Sequence, residues 1–323
     1  MYKHILVPLD GSKLAEQVLP LVGHLQAAFS SQVVLLSVVS EAAPLGTVGA
    51  VSSAKEYLAT IAGRLPAGTN EVSTIVRAGF AAETILTEAE SAPETLIAMT
   101  THGHSGAERF LLGSVTDKVL HGTTLPVLLL HVQPDHAAAA ALPATLVVTL
   151  DGSPLAEEVL PHVAALARDM DMKVILARVV ATPYAMQGWM WEGGAAYLPD
   201  DFDALDAETQ DYLEAKAKEL RSRGLRVETQ TLHGTPASAL LDLVAGTPNC
   251  MIALSSHGRS GLGRWALGSV ADRLVTGTSV PVLLIRPSLV QLVPPAVAHD
   301  LVSEPYPATV LNEAADRSAG QPV

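Results

Sequence analysis

Short runs rich in Val, Ile and Leu recur along the chain, separated by longer stretches whose apolar residues fall three or four positions apart. The first pattern is that of strands buried on both faces and the second that of amphipathic helices. Their alternation predicts a parallel sheet covered on both sides, a doubly wound α/β architecture. In the N-terminal half, strands are expected near His4–Leu9, Val33–Val39, Glu71–Val76, Thr95–Thr100 and Val127–Val132. Helices are expected over Leu14–Ala28, around Leu58, Ile61, Ala62 and Leu65, over Ala82–Ser91 and over Val115–Leu120. The C-terminal half follows the same order, with strands near Thr145–Leu150, Lys173–Val179, Arg226–Thr231, Cys250–Ser255 and Val282–Arg286 and a helix carrying Leu213, Ala217 and Leu220.

The two halves are also copies at the level of residues. The segment Asp10–Pro20 returns as Asp151–Pro161 with nine of eleven positions identical, and Thr101–Val115 returns as Ser256–Val270. Asp10 to Gly103 spans 93 residues and Asp151 to Gly258 spans 107, so the second copy carries 14 extra residues, expected in Tyr184–Ala204. The organisation read from this is one α/β domain over 1–132, a linker over 133–144 with five alanines between Pro134 and Pro143, a second domain over 145–287, and a tail over 288–323. The tail is rich in Pro, Ala and Val without a period, and is expected to be extended or disordered. Inside the insertion, Trp189 and Trp191 leave three readings open: a lid, a contact between subunits, or local packing.

Composition narrows the classes. With 323 residues, 49% hydrophobic and 16% charged, the chain is long enough for two cores and apolar enough to bury them. No apolar run approaches the ~18–20 residues of a membrane-crossing helix. The first residues run directly into a strand pattern without a leader, so a cytoplasmic protein is expected. The single cysteine, Cys250, provides no internal disulfide and no Cys-based metal site, and its apolar surroundings predict burial. A formal charge of −13 opposes contact with a phosphate backbone over most of the surface, so neither nucleic acid nor membrane is an expected partner.

Candidate chemistry gathers at the strand ends, where open α/β sheets bind ligands. Asp10 and Asp151 end the first strand of each copy, and a loop of the form His-Gly-x-Ser-Gly follows the fourth, with Gly103 and Gly106 in one copy and Gly258 and Gly261 in the other. A Gly-Ser pair, Gly113-Ser114 and Gly268-Ser269, then opens the last helix, where free amides and the helix dipole favour an anion. The spacing is neither that of a P-loop nor that of a dinucleotide fingerprint. These residues alone suggest a phosphorylated small molecule, with the aspartate available to a ribose hydroxyl. A plainer reading stands beside it: Ser114-x-x-Asp117 and Ser269-x-x-Asp272 look like capping boxes, and Asp-Gly-Ser is turn chemistry. His102 and His257 could suggest a general base, but no Ser or Cys nucleophile with an orienting acid is assignable around them. Arg259, where the first copy has His104, either adds a fixed cation to the second site or is a solvated loop charge.

Taken together, the motifs resemble the signature of the universal stress protein family, a glycine, two residues, a glycine, nine residues and Gly-Ser or Gly-Thr. It reads here as Thr100-x2-Gly103-x9-Gly113-Ser114 and Ser255-x2-Gly258-x9-Gly268-Ser269, with Thr100 and Ser255 in place of the first glycine. The resemblance implies five-stranded sheets in the order 3-2-1-4-5 and, in the ATP-binding branch, a set of contacts. Asp10 and Asp151 would meet the ribose or adenine side, and the backbone of Val38 and Val179 would frame the adenine. Gly103, Gly113, Ser114 and Val115 would hold phosphates in one copy, and Gly258, Gly268, Ser269 and Val270 in the other. It also implies pairing through the fifth strand, which the fused copies can satisfy internally, with a homodimer of the whole chain left open. The expected activity is that of an ATP-binding stress or signalling module, with Mg2+ as an accompanying ion. Slow ATP hydrolysis or autophosphorylation and a non-binding interaction platform are the alternatives.

Overall fold

The computed structural model describes residues 1–40, 46–65, 71–101, 112–131, 142–181, 202–257 and 267–287. The tail, the greater part of the linker, the insertion with Trp189 and Trp191, and the loops carrying Gly103, Gly106, Gly258, Arg259 and Gly261 lie outside the described residues.

The first repeat runs β1 (His4–Pro8), a 3-10 turn (Ala15–Val18), α1 (Leu19–Phe29), β2 (Gln32–Val39), α2 (Gly46–Ala62), β3 (Val72–Ala78), α3 (Ala81–Glu90), β4 (Thr95–Thr100), α4 (Ser114–Gly122) and β5 (Val127–Leu130). The second runs β6 (Thr145–Thr149), α5 (Pro154–Glu157), α6 (Leu160–Asp169), β7 (Lys173–Val180), α7 (Phe202–Ser222), β8 (Val227–His233), α8 (Pro236–Gly246), β9 (Cys250–Ser255), α9 (Ser269–Gly277) and β10 (Val282–Ile285). The continuous helix expected over Leu14–Ala28 is instead a 3-10 turn followed by α1, with Pro20 in the first turn of α1. Proline has no N–H to give to a preceding turn, so it is accommodated where a helix begins afresh. Pro161 divides α5 from α6 in the same way. The second repeat's extra length falls between β7 and β8, where α7 has 21 residues against 17 in α2.

Each repeat has the strand order 3-2-1-4-5, but the repeats do not form separate sheets. Their strands make one ten-stranded sheet in the order β3-β2-β1-β4-β5-β10-β9-β6-β7-β8. Every pairing is parallel except that of β5 with β10, which is antiparallel with Leu128 opposite Leu283. The physical reason lies in β5 and β10 themselves. Each is short and apolar on both faces, and would otherwise present unpaired amides and carbonyls along an edge.

Two apolar layers sandwich the sheet and run through both repeats. One joins Val7, Leu35, Leu128, Val148 and Leu283 to side chains of α1, α2, α6 and α7. The other joins Leu6, Ile97, Leu129, Ile252 and Leu284 to α3, α4, α8 and α9. Polar contacts also bridge the repeats. The Tyr2 hydroxyl lies 2.7 Å from Nδ1 of His162, and the Arg286 guanidinium donates to the carbonyl of Leu120 in α4. Cys250 is buried as its neighbours suggest, and burial pushes its thiol above the ordinary range.

Candidate functional site

In each repeat the winding direction reverses between the first and fourth strands, because the chain leaves the first strand toward one edge and reaches the fourth on the other side. A cavity opens at that point. The first, about 270 Å³, is lined by Asp10, Val38, Thr100, Gly113, Ser114 and Val115, among others. The second, about 430 Å³, is lined by Asp151, Val179, Ser255, Gly268, Ser269 and Val270, among others. Every predicted site residue within the described parts of the chain therefore lies on one of two cavities, one per repeat.

Helix starts shape the anion-facing end. Gly113 is the N-cap of α4, with φ −60° and ψ 144°, and among the described residues no side chain caps the helix. Its amide donates to the Thr101 carbonyl at 2.9 Å, and its carbonyl accepts from Asp117 at 2.9 Å. Gly268 repeats the arrangement with Ser256 and Asp272, also at 2.9 Å each. Ser114 and Ser269 are therefore first helical residues and not N-caps, which corrects the capping-box reading. The amides of Ser114, Val115 and Thr116, and of Ser269, Val270 and Ala271, have no acceptor within their helices. All six residues line the cavities, at the positive end of the helix dipole. At Gly268 a Cβ would sit a tight 3.2 Å from the Ser256 carbonyl oxygen, so a side chain there would shift the backbone by a few tenths of an ångström.

The aspartates serve their turns as well as the cavity wall. Oδ1 of Asp10 accepts from the Ser12 amide at 2.9 Å. Oδ1 of Asp151 accepts from the Ser153 amide at 2.9 Å and from its hydroxyl at 2.6 Å, while Ser153 Oγ caps α5 by accepting from Ala156. His257 also reaches the second cavity, with its Nδ1 2.9 Å from Ser256 Oγ.

The second cavity contains two residues that the sequence reading missed. Arg178 is 8% exposed on β7, and its guanidinium lies 5.0 Å from the centre of the Tyr212 ring. Thr209 on α7 is fully buried, and its Oγ1 has no hydrogen-bond partner. Tyr212 in turn donates to Glu157 at 3.0 Å, and Lys216 reaches the other oxygen of Glu157 at 2.6 Å. Burial first, and then the hydrogen bond and charge of Glu157, push the Tyr212 phenol well above its ordinary range. A signal for Arg178 was present, since an arginine interrupts an otherwise apolar strand where the first repeat has Ser37. Thr209 carried none.

Among the described residues, no three His, Cys, Asp or Glu side chains gather as a metal site, and no helix is long and apolar enough to cross a membrane.

Comparison with known proteins agrees with this fold. The universal stress protein family matches the chain twice, over residues 1–131 and 144–286. A universal stress protein of Methanocaldococcus jannaschii is 28% identical over 142 residues, covering 44% of this chain and 81% of the relative. One from Mycolicibacterium smegmatis is 26% identical over 222 residues, covering 67% and 69%. Among solved structures, a universal stress protein from Archaeoglobus fulgidus superimposes with a TM-score of 0.68 at 20% identity, covering 89% of this chain and 100% of its own. With two matched copies that together span most of its length, the chain belongs to the universal stress protein family.

Proposed function

We propose that the chain is a nucleotide-binding stress or signalling module whose principal ligand is ATP, with the anionic tail held at the start of α4 or α9. The observation that supports this best is the pair of uncapped helix starts. Each leaves three amides without intrahelical acceptors inside a cavity at the reversal of the winding. In this reading Asp10 and Asp151 meet the ribose, and Val38 and Val179 border the base. Gly103, Gly106, Gly258, Arg259 and Gly261 are assigned to the phosphate contacts. Thr100 and Ser255 end the fourth strands on the cavity walls, and Mg2+ accompanies the phosphates. The two repeats pair internally through β5 and β10, and a further homodimer of the chain is compatible with this arrangement.

The test is titration of the full chain with ATP, ADP and AMP, with and without Mg2+, while phosphate release is followed. ATP binding without turnover supports the module, and sustained release would make the protein an enzyme. Absence of binding would leave an interaction platform. A doubly substituted chain, S114D with S269D, places carboxylates at the helix starts. There they favour the helix by about 0.3–1 kcal/mol but repel a phosphate. Loss of ATP binding with a melting temperature equal to or slightly above that of the unsubstituted chain is the expected result.

A further inference from the structure

The cavities of the two repeats differ at the side away from α9. Arg178 and Thr209 line the second cavity. At the corresponding positions the first repeat has Ser37 and Ala54, by the alignment of β2 with β7 and of Tyr57-Leu58 with Tyr212-Leu213. The Arg178 side chain is set deliberately. Gly152, at φ +86°, lets the loop after β6 lie against it, and a Cβ there would sit 3.1 Å from its Cζ. Its Cζ lies over the Tyr212 ring. Of the nearby carboxylates, Glu157 is engaged by Tyr212 and Lys216, and Asp151, on the same cavity, by Ser153.

A guanidinium offers five N–H donors and accepts nothing. Set on the cavity wall between the Gly152 turn and the Tyr212 ring, and with the orphan hydroxyl of Thr209 in the same wall, it favours a ligand rich in acceptors. Among purines, the adenine edge alternates an acceptor, N7, with an amino donor that would face Arg178 donor to donor. A 6-oxopurine presents O6 and N7, two acceptors at the spacing of a bidentate guanidinium. Resting on the nucleotide-binding reading above, we propose that the second cavity selects a 6-oxopurine nucleotide. Arg178 reads O6 and N7, and the Thr209 hydroxyl makes a further hydrogen bond, while the first cavity takes the adenine nucleotide. The fused repeats are then a sensor of two different nucleotides.

Isothermal titration of the S114D chain, in which the first cavity is disabled, with ATP, GTP and ITP isolates the second. GTP and ITP should bind roughly ten-fold tighter than ATP or better, and to a similar degree, because both carry O6 and N7. R178S and R178K should each erase that preference while changing ATP affinity less than about three-fold. T209A should weaken GTP and ITP by about three-fold or more without moving the melting temperature. If R178S does not fold, R178K and T209A decide the matter. Equal affinity for ATP and GTP, or a preference that survives R178K, overturns the base selection alone. Failure of the unsubstituted chain to bind any of the three nucleotides overturns the nucleotide reading together with it.

Discussion

Tyr2 and His162 join the repeats through one hydrogen bond whose direction follows from burial. The Tyr2 phenol is pushed far above its ordinary range by burial, so it remains protonated and donates to Nδ1 of a neutral His162. Burial first, and the charge of the N-terminus second, lower the His162 imidazole from 6.5 to about 4. Between those values the unfolded chain takes up a proton that the folded one refuses. Stability from this group is therefore complete above the unfolded value and is lost as pH falls toward the folded one. The loss should reach about 3 kcal/mol at most, an upper bound for a ring not fully enclosed. Denaturant midpoints at neutral pH and near pH 4.5 measure it, and H162Q should flatten the dependence. A second residue-scale prediction concerns Gly152. G152A places a side chain in the left-handed region and against the Arg178 guanidinium, and should cost about 1–2 kcal/mol in a thermal melt. The Asp-Gly-Ser turns were legible in the sequence because their chemistry is local. The meeting of Arg178 with the orphan hydroxyl of Thr209 on one cavity wall was not, because it depends on how distant segments pack.

At the scale of elements, the starts of α4 and α9 show how a tertiary contact chooses between two local readings. Serine followed three residues later by aspartate suggests a serine cap, yet the bonds from Gly113 to Thr101 and from Gly268 to Ser256 place glycine at the cap. The aspartates remain useful in the first turn, where they complement the dipole. Near the other end of α4, Arg286 from the second repeat donates to Leu120, one of the last carbonyls of the helix. Its partial burial lowers the guanidinium below its ordinary range, and its Nε is left without a partner. R286A should therefore cost a modest 1–3 kcal/mol, roughly, and it should increase amide exchange in the last turn of α4. No counterpart of this cap could be read from α4 itself, since its donor lies 166 positions away.

Residues 1–287 are held as one body by the antiparallel join of β5 and β10. Leu128 and Leu283 face each other across it, both buried in the layer that also contains Val7 and Val148. L283A should cost about 2–5 kcal/mol and lower the single transition expected in calorimetry for residues 1–287. Two separated transitions, with only the later one moved by the substitution, would show instead that the repeats unfold independently. The alternation of strands and helices, the duplication and the ten strands were all legible in advance, because periodicity and repetition are written in neighbouring residues. Fusion into one sheet was expected from the resemblance, which implied pairing through the fifth strand, and its physical ground is two apolar edge strands in need of a partner.

By itself, the order of residues determined the fold of each repeat and the positions where glycine, serine and aspartate would meet. Apolar periodicity dictates which elements form, and a doubly wound sheet brings its strand ends to one rim. Only the tertiary structure decided which residue caps each helix, and that the two sheets are one. It alone set a buried arginine and an orphan threonine in one cavity and not in the other. Those outcomes depend on contacts between segments far apart in the chain, where burial sets the cost of an unmet donor and local pattern contains no record of it.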